Sequence, residues 1–428
     1  MRRFATIGLV AVAAACTEQT TAPGDCPDFC PGGQIVIHDT IFTAIIGRDS
    51  SFRGYLQPYQ AEAMAATEAP GVQSRPYFLL DKMITRVRPS GTDTATVPIF
   101  ADSSRLRITI VRRDKNAANL QLKLYALPVT VDSLETFASL DTYFQGPAVD
   151  SVNVSDLLAR PLIGDTATVR AWGDSIRTDS AGHVLVVARS DSAFQIYFSL
   201  DTLQAPFVVA DSGQLAFGVR VASDSAVSVR LGANESVSNG PVIEWFYHFT
   251  PPDSVTPKID STLRVPSIDN FVFDPPVQPL DSNLAVGGAP SARSLLRVNF
   301  PEFLHDSLDV VRATLILVPS GPVAGAPSDS FSIVVRPLLT DLGAKSPMST
   351  EVAGSVRIHP GVVDTVKIEL TDLVRSWSID TSLTTAFILG HSPEAASFTE
   401  IRFFSSRTPA FRPALHVTYV KRFPFGEP

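Results

Sequence analysis

The sequence predicts an all-β protein of two tandem β-sandwich domains that follow a signal peptide and a flexible tether. Three observations lead there. Apolar and polar residues alternate with a period of two, Asp-Ser pairs punctuate the chain, and the second half repeats the strand order of the first.

The alternation is clearest in Leu106-Arg107-Ile108-Thr109-Ile110-Val111, Leu120-Gln121-Leu122-Lys123-Leu124 and Val366-Lys367-Ile368-Glu369-Leu370. Successive side chains of a strand point to opposite faces, so each run reads as a strand with one face covered and one wet. Between such runs lie Pro, Gly and the Asp-Ser pairs at Asp49, Asp102, Asp132, Asp191, Asp211, Asp224, Asp281 and Asp306. Their short polar side chains cap turns, and turns at regular spacing are the pattern of a sandwich. Helix is expected only in short pieces near Tyr59 to Ala66, Ser155 to Ala159 and Thr371 to Trp377.

The repeat is approximate but ordered. Ala193 to Leu203 parallels Asp364 to Leu373, and Leu215 to Val219 parallels Thr385 to Leu389. Ser228 to Ala233 then leads to Val242 to Tyr247, as Thr399 to Phe404 leads to Leu415 to Val420. Two similar modules are expected, against the alternative of unrelated β domains that share alternation by composition. The junction is placed at Thr250 to Thr262, where Pro251, Pro252 and Pro257 interrupt a strand. The expected division is residues 1–15 signal peptide, 16–34 lipidated tether, 35–250 N-terminal sandwich, 251–264 Pro-rich linker and 265–422 C-terminal sandwich.

At the N-terminus Arg2 and Arg3 precede an apolar run from Phe4 to Ala15, too short to span a bilayer but suited to a cleaved signal peptide. Val12-Ala13-Ala14-Ala15-Cys16 resembles the lipobox of bacterial lipoproteins, which implies an acylated Cys16. Ala13 departs from the Leu or Val usual there. The alternative is an ordinary secretory signal with Cys16 incidental. Three cysteines suit an oxidising compartment if one is lipidated, leaving Cys26 and Cys30 for a small-loop disulfide. A zinc site would need a second close pair of ligands, and none is in the sequence. Residues Thr17 to Gly33 are rich in Thr, Pro and Gly, as a tether would be. Thr17 is not the aspartate that resembles an inner-membrane retention signal, so export to the outer membrane is favoured.

The roughly 410 residues after Ala15 suffice for two or three domains with full cores. A net charge of −8, from 35 basic and 43 acidic residues, argues against a nucleic-acid partner, since phosphate binding needs a clustered positive surface and the arginines are scattered.

Ser291 to Phe300, Arg312 to Leu317, Leu370 to Trp377, and Phe404-Ser405-Ser406-Arg407 followed by Arg412 to Tyr419 resemble, in their order, the DNRLRE-type modules of bacterial surface proteins. The likeness covers about Val265 to Val420. It implies a jelly-roll-like sandwich without catalysis, of a kind sometimes found with carbohydrate-active or cell-wall proteins. Thr408 stands where those modules carry an acidic residue after the arginine.

Candidates for chemistry are few. Gly173-Asp174-Ser175-Ile176 looks like the nucleophile block of GDSL-type hydrolases, but Asp179 to His183 has the wrong spacing for its base, and α/β alternation is lacking. The seven histidines form no metal or triad pattern, and His248 and His416 read as strand residues. No cofactor is expected; structural calcium in the Asp-rich turns is the alternative to simple Asx turns. Trp172, Trp245 and Trp377 read as core residues rather than a sugar platform. The expectation is a lipid-anchored envelope protein that binds without turnover, its ligand a polysaccharide or a surface protein. A structural part of a surface assembly and an unrecognised hydrolase are the alternatives. An exposed aromatic row on one sheet face would favour the polysaccharide.

Overall fold

A strand with one apolar face is stable only when another layer covers that face, and this chain meets the requirement twice. The computed structural model describes residues 36–90, 94–113, 117–161, 175–187, 193–200, 214–236, 238–274, 281–306, 308–325, 330–359 and 364–421. They form 26 strands, every paired one antiparallel, with a few short helices, in an all-β sandwich architecture.

One sandwich packs a four-stranded sheet against a seven-stranded one. The first runs in the order Ile37–Phe42, Ala414–Lys421, Leu308–Leu317, Val366–Glu369. The second is built around Ala292–Val298, with Ala386–Ser392, Phe331–Pro337 and Gly354–Ile358 on one side and Ile46–Arg53 on the other. Leu284–Gly287 and Glu400–Phe403 complete it. Alternate residues of both sheets meet in a core of Leu315, Val417, Ile333, Val335, Leu389 and Phe403. Helix Thr371–Ile379 closes one side by burying Leu373, Val374 and Trp377, one face at helical spacing. Truncating Trp377 to alanine would cost about 3–5 kcal/mol.

The other sandwich is a single thirteen-stranded sheet curled into two layers. Its axis is the 14-residue strand Phe100–Arg113, which pairs with Val242–Phe249 over its first half, with Phe194–Ser199 on the other edge and with Val227–Gly232 at its end. The register shifts at Phe246/Tyr247 and at Arg230/Leu231, and such bulges let one strand bend between layers. Leu106, Ile108, Ile196, Phe217, Phe78 and Trp245 fill the space enclosed. The two sandwiches pack together: Phe398 meets Phe271 and Phe273 at 6.0 and 5.3 Å, and Arg112 donates to the Ser330 carbonyl and hydroxyl at 2.6 Å.

Strand partners correspond between the two bodies. Phe194–Ser199, Phe100–Arg113 and Val242–Phe249 lie in the same order as Val366–Glu369, Leu308–Leu317 and Ala414–Lys421. Val72–Leu80, Ala216–Ala222 and Gln121–Leu127 match Ala292–Val298, Ala386–Ser392 and Phe331–Pro337. Ser74 donates to the Ala65 carbonyl at 2.7 Å and Ser294 to that of Ala285 at 2.9 Å, both pairs displaced by the same interval (294 − 74 = 285 − 65 = 220).

The linear division into residues 35–250, 251–264 and 265–422 does not describe this pairing. Ile37–Phe42 and Ile46–Arg53, at the start of the N-terminal half, belong to the sheets of the C-terminal sandwich, beside Ala414–Lys421 and Ala292–Val298. Arg53 fixes the second of these by a two-point contact with Glu400, at 2.6 and 2.8 Å. Their counterparts Lys258–Arg264 and Pro266–Asp274 pair backwards, with Val242–Phe249 and Val72–Leu80. Each module therefore uses the leading strand pair of the other. Lys258–Arg264 is a strand where a linker was expected, because it follows Pro257 and is an edge strand bonded on one side only, which the prolines before it do not obstruct. A second difference concerns Tyr59 to Ala66. Only Pro58–Gln60 is helical, as a 3₁₀ turn, and Ala63–Ala69 is a buried strand opposite Val227–Gly232. Alanine's helix propensity yields there to burial in the sheet, where Ala63, Met64, Ala65 and Ala66 are all covered.

The exchange has a direct check. Ser51 and Ser294 hydroxyls are 2.8 Å apart across 243 residues of sequence. Cysteines at both positions should oxidise to a disulfide and raise stability by up to about 5 kcal/mol. Two thiols that both remain titratable in the native oxidised protein would refute the pairing.

Candidate functional site

Cys16, Cys26, Cys30, Trp172, Gly173 and Asp174 lie outside the described residues. Trp245 and Trp377 are fully buried, as core residues. Arg407 finds its acidic partner not in the next residue but in Asp49 on the exchanged strand, 3.5 Å away, and donates to the Ser282 carbonyl at 2.9 Å. The aspartates of the Asp-Ser pairs divide by role. Asp132 and Asp281 accept the backbone N–H two residues on, as Asx turns, whereas Asp102 holds His248 at 2.7 Å. Among the described residues no three His, Cys, Asp or Glu side chains are grouped to hold a metal ion.

The GDSL-like block is not brought together as a triad. Ser175 opens the strand Ser175–Thr178 opposite Val187, and His183 is committed elsewhere. Its Nδ1 donates to Asp179 at 2.7 Å and its Nε2 to Asp150 at 2.9 Å, so neither nitrogen is left to take a proton from a hydroxyl. The Asp150 hydrogen bond, with Asp179 opposite, outweighs burial and holds the imidazole up at about 9. The ring is an imidazolium clamp that ties the turn after Ser175–Thr178 to the strand Asp150–Asn153. His391 is the opposite case: burial pushes it down to about 3, and it stacks on Phe331 at 4.2 Å with Nδ1 donating to the Pro393 carbonyl.

A cleft of about 460 Å³ opens between the sandwiches, lined in part by Tyr59, Phe137, Asn270 and Ser291. Its polar floor is turned inward. Asn270 donates to the Tyr77 hydroxyl at 3.1 Å and accepts from the Phe271 N–H at 2.8 Å, and Ser291 donates to Glu394.

Outward-facing groups converge instead on one sheet face of the curled sandwich. Phe246, Arg105 and Tyr197 sit on three adjacent strands, Val242–Phe249, Phe100–Arg113 and Phe194–Ser199, on the side away from Trp245 and Leu106. The Arg105 guanidinium lies between the two rings, 5.3 Å from Phe246 and 5.2 Å from Tyr197, and Glu244 accepts from its Nε at 2.6 Å. One step along, Phe100, 59 % exposed, stacks on His248 at 5.4 Å. Exposed Ile259 and Leu263 of the edge strand extend the face beside His248 and Glu244. Strands about 4.8 Å apart give the Phe246–Arg105–Tyr197 row a width of roughly 10 Å. An arginine clamped between rings and fixed by a carboxylate is pre-oriented, so a ligand lying on it loses little side-chain entropy.

The sequence did not single out these residues. Glu244, Phe246 and His248 alternate with Ile243, Trp245 and Tyr247 in one apolar run, and alternation does not tell which face is wet. A signal was present in Arg105 and Arg107, which mark the outer face of the neighbouring strand.

The His183 clamp gives a pH prediction. Its pKa rises from 6.5 to about 9 on folding, so its contribution is complete below the unfolded value and fades as pH climbs through about 9. His183→Gln should cost on the order of 2 kcal/mol near pH 7, and the gap in urea-unfolding free energy should close toward pH 10. A gap constant between pH 6 and pH 10 would be incompatible with a charged clamp.

No family model matches the chain, and no curated protein matches it. Among solved structures, one titled BspA_C_WT is aligned at 9 % identity over 82 % of this chain and 92 % of that one, with a TM-score of 0.12. Another, BspA_C_mut, aligns at 9 % identity over 92 % and 85 % with a TM-score of 0.09.

Proposed function

We propose that this chain is a non-catalytic, lipid-anchored protein of the cell envelope that binds polysaccharide on the outer face of its curled sandwich. The observation that carries the reading is the row Phe246–Arg105–Tyr197 with Phe100 and His248 beside it, an aromatic outer sheet face on which Phe246 and Tyr197 are half-buried and Phe100 is exposed. Sugar rings present C–H faces that stack on aromatic rings, and a flat row on a rigid sheet suits an extended chain of them. The cation on the face is already paired with Glu244, which favours a neutral polymer over an acidic one. Absence of turnover is supported by the engagement of both His183 nitrogens and by the neutral, buried state of His391. The anchor rests on the lipobox-like Val12 to Cys16, and outer-membrane placement on Thr17. The DNRLRE-like order of motifs in the C-terminal half agrees with a surface module.

A second reading, a structural part of a surface assembly, is favoured by one observation. Among the described residues the edge strand Lys258–Arg264 has a single neighbour, and it carries exposed Ile259 and Leu263; such an edge accepts a partner strand.

The test is a glycan and cell-wall-polysaccharide array probed with Gln34 to Pro428. Saturable binding to one polysaccharide class is expected, with Phe246→Ala and Tyr197→Ala each weakening it about ten-fold, equivalent to roughly 1.4 kcal/mol, while the unfolding midpoint holds. A flat array, or binding indifferent to both variants, would eliminate the polysaccharide site and leave the assembly reading.

A further inference from the structure

The seven-stranded sheet has two ends of different character. At one end the strands finish against the curled sandwich: Ser330, before Phe331–Pro337, receives Arg112, and Phe398 packs among Phe271 and Phe273. At the other end four strands begin or finish together, at Ile46, Val298, Pro337 and Ala386. The loops there are joined by backbone contacts: the Val298 N–H donates to the Thr385 carbonyl at 2.8 Å, and the Thr384 hydroxyl to that of Leu339 at 3.3 Å. This end carries large apolar side chains in water, namely Leu339 at 67 %, Ile379 at 76 %, Leu383 at 42 % and Phe303 at 49 % exposure. Phe303 leans on Phe42 and Tyr419, so it is fixed rather than loose. Charges nearby are mixed in sign: Arg297 pairs with Asp341, which Arg48 also faces, Arg375 pairs with Asp372, Lys345 lies in the turn after Leu342, and Glu302 and Asp380 adjoin Phe303 and Ile379.

What would cover this end is indicated by the chain that leads to it. Ile37–Phe42 passes beside Phe303 and turns at 43–45 into Ile46–Arg53, and Ile37, level with Val420 and through it with Asp309, enters just past the short helix Phe303–Asp306 of this end. Val36 lies 20 residues after Cys16, a reach of at most about 70 Å. A body tethered that closely to a bilayer spends its time near headgroups, and this end lies opposite the curled sandwich.

We propose that the loop end bearing Leu339, Ile379, Leu383 and Phe303 is a bilayer-docking surface. The four side chains enter the headgroup region, the C-terminal sandwich stands on the membrane, and the curled sandwich with its aromatic face is held outward. The inference rests on the lipid-anchor reading and adds an orientation to it. Because the cations at this end, among the described residues, are interspersed with carboxylates, docking is driven by apolar insertion into zwitterionic lipid and not by attraction to anionic headgroups.

The experiment uses the mature chain from residue 16 with Cys16→Ser, floated with vesicles of phosphatidylcholine and phosphatidylethanolamine. The protein should co-float, and about 1 M salt, where the Debye length is ~3 Å, should not release it. Ile379→Asp with Leu383→Asp should lower the bound fraction roughly ten-fold with an unchanged unfolding midpoint, whereas Phe246→Ala should float like the parent. A parent that stays at the bottom of the gradient overturns the proposal, and so does a double variant that floats equally well. Self-association abolished by the same double variant, without flotation, would assign the surface to a second copy and likewise overturn it. The anchor is read separately, from the mass of Cys16 in the full chain exported with its own first fifteen residues. An unmodified cysteine there refutes the lipid anchor, while flotation alone decides the docking surface.

Discussion

The structure depends on the pairing of the first two described strands with strands of the C-terminal half. Ile37–Phe42 lies antiparallel to Ala414–Lys421, and Ile46–Arg53 to Ala292–Val298. Without them the C-terminal sandwich would lose an edge from each sheet, and Ile45 and Ile46 would leave its core. Each such side chain contributes about 1.5–3 kcal/mol by burial, on top of the two ladders. The same strands carry Asp49 to Arg407 and Arg53 to Glu400, so the ionic contacts of the module also assume them.

Why the leading strands cross over follows from how weakly loop entropy depends on length. Closing a loop of twice the length costs only about 0.6 kcal/mol more, so reaching the far module instead of the near one is a small penalty. Local fit can then decide. Ile37-His38-Asp39-Thr40-Ile41-Phe42 and Ile259-Asp260-Ser261-Thr262-Leu263-Arg264 share their alternation, and both leave the first and fifth side chains exposed. The differences lie on the other face. Phe42 packs into the aromatic group of Phe303 and Tyr419, whereas Asp260 faces Tyr247 and Arg264 donates to the Lys82 carbonyl. Swapping the two strands would set an arginine where Phe42 sits. The kinetic consequence is a late step, because the pairing joins the two ends of the chain and such contacts form slowly.

Legibility in the sequence divides along this line. Alternation located strands such as Leu106 to Val111 and Val366 to Leu370, and the four repeated segments of each half all include strands. Alternation does not name a partner, and so the crossover could not be read and the residues after Pro257 passed for a linker. Burial of Trp245 and Trp377 was legible because each sits within an apolar pattern of its own period, two for the strand and 3.6 for the helix. The aromatic face was not, because alternation puts Glu244, Phe246 and His248 on one face without saying that the other face, with Trp245, is the covered one. The Asp150–His183–Asp179 clamp joins residues 33 apart and lies beyond any local motif.

The aromatic face gains its rigidity from the same curl that hides its origin. Phe100–Arg113 serves both layers, so Arg105 is held by backbone ladders to Glu244 on one side and Ser199 on the other before its side chain makes any contact. The guanidinium then adds Glu244 and two rings. Each of these contacts satisfies Arg105 from within the protein and reduces what it can offer an anion. A surface so arranged discriminates by shape and stacking more than by charge. That is the physical reason to look for a neutral, ring-bearing polymer here.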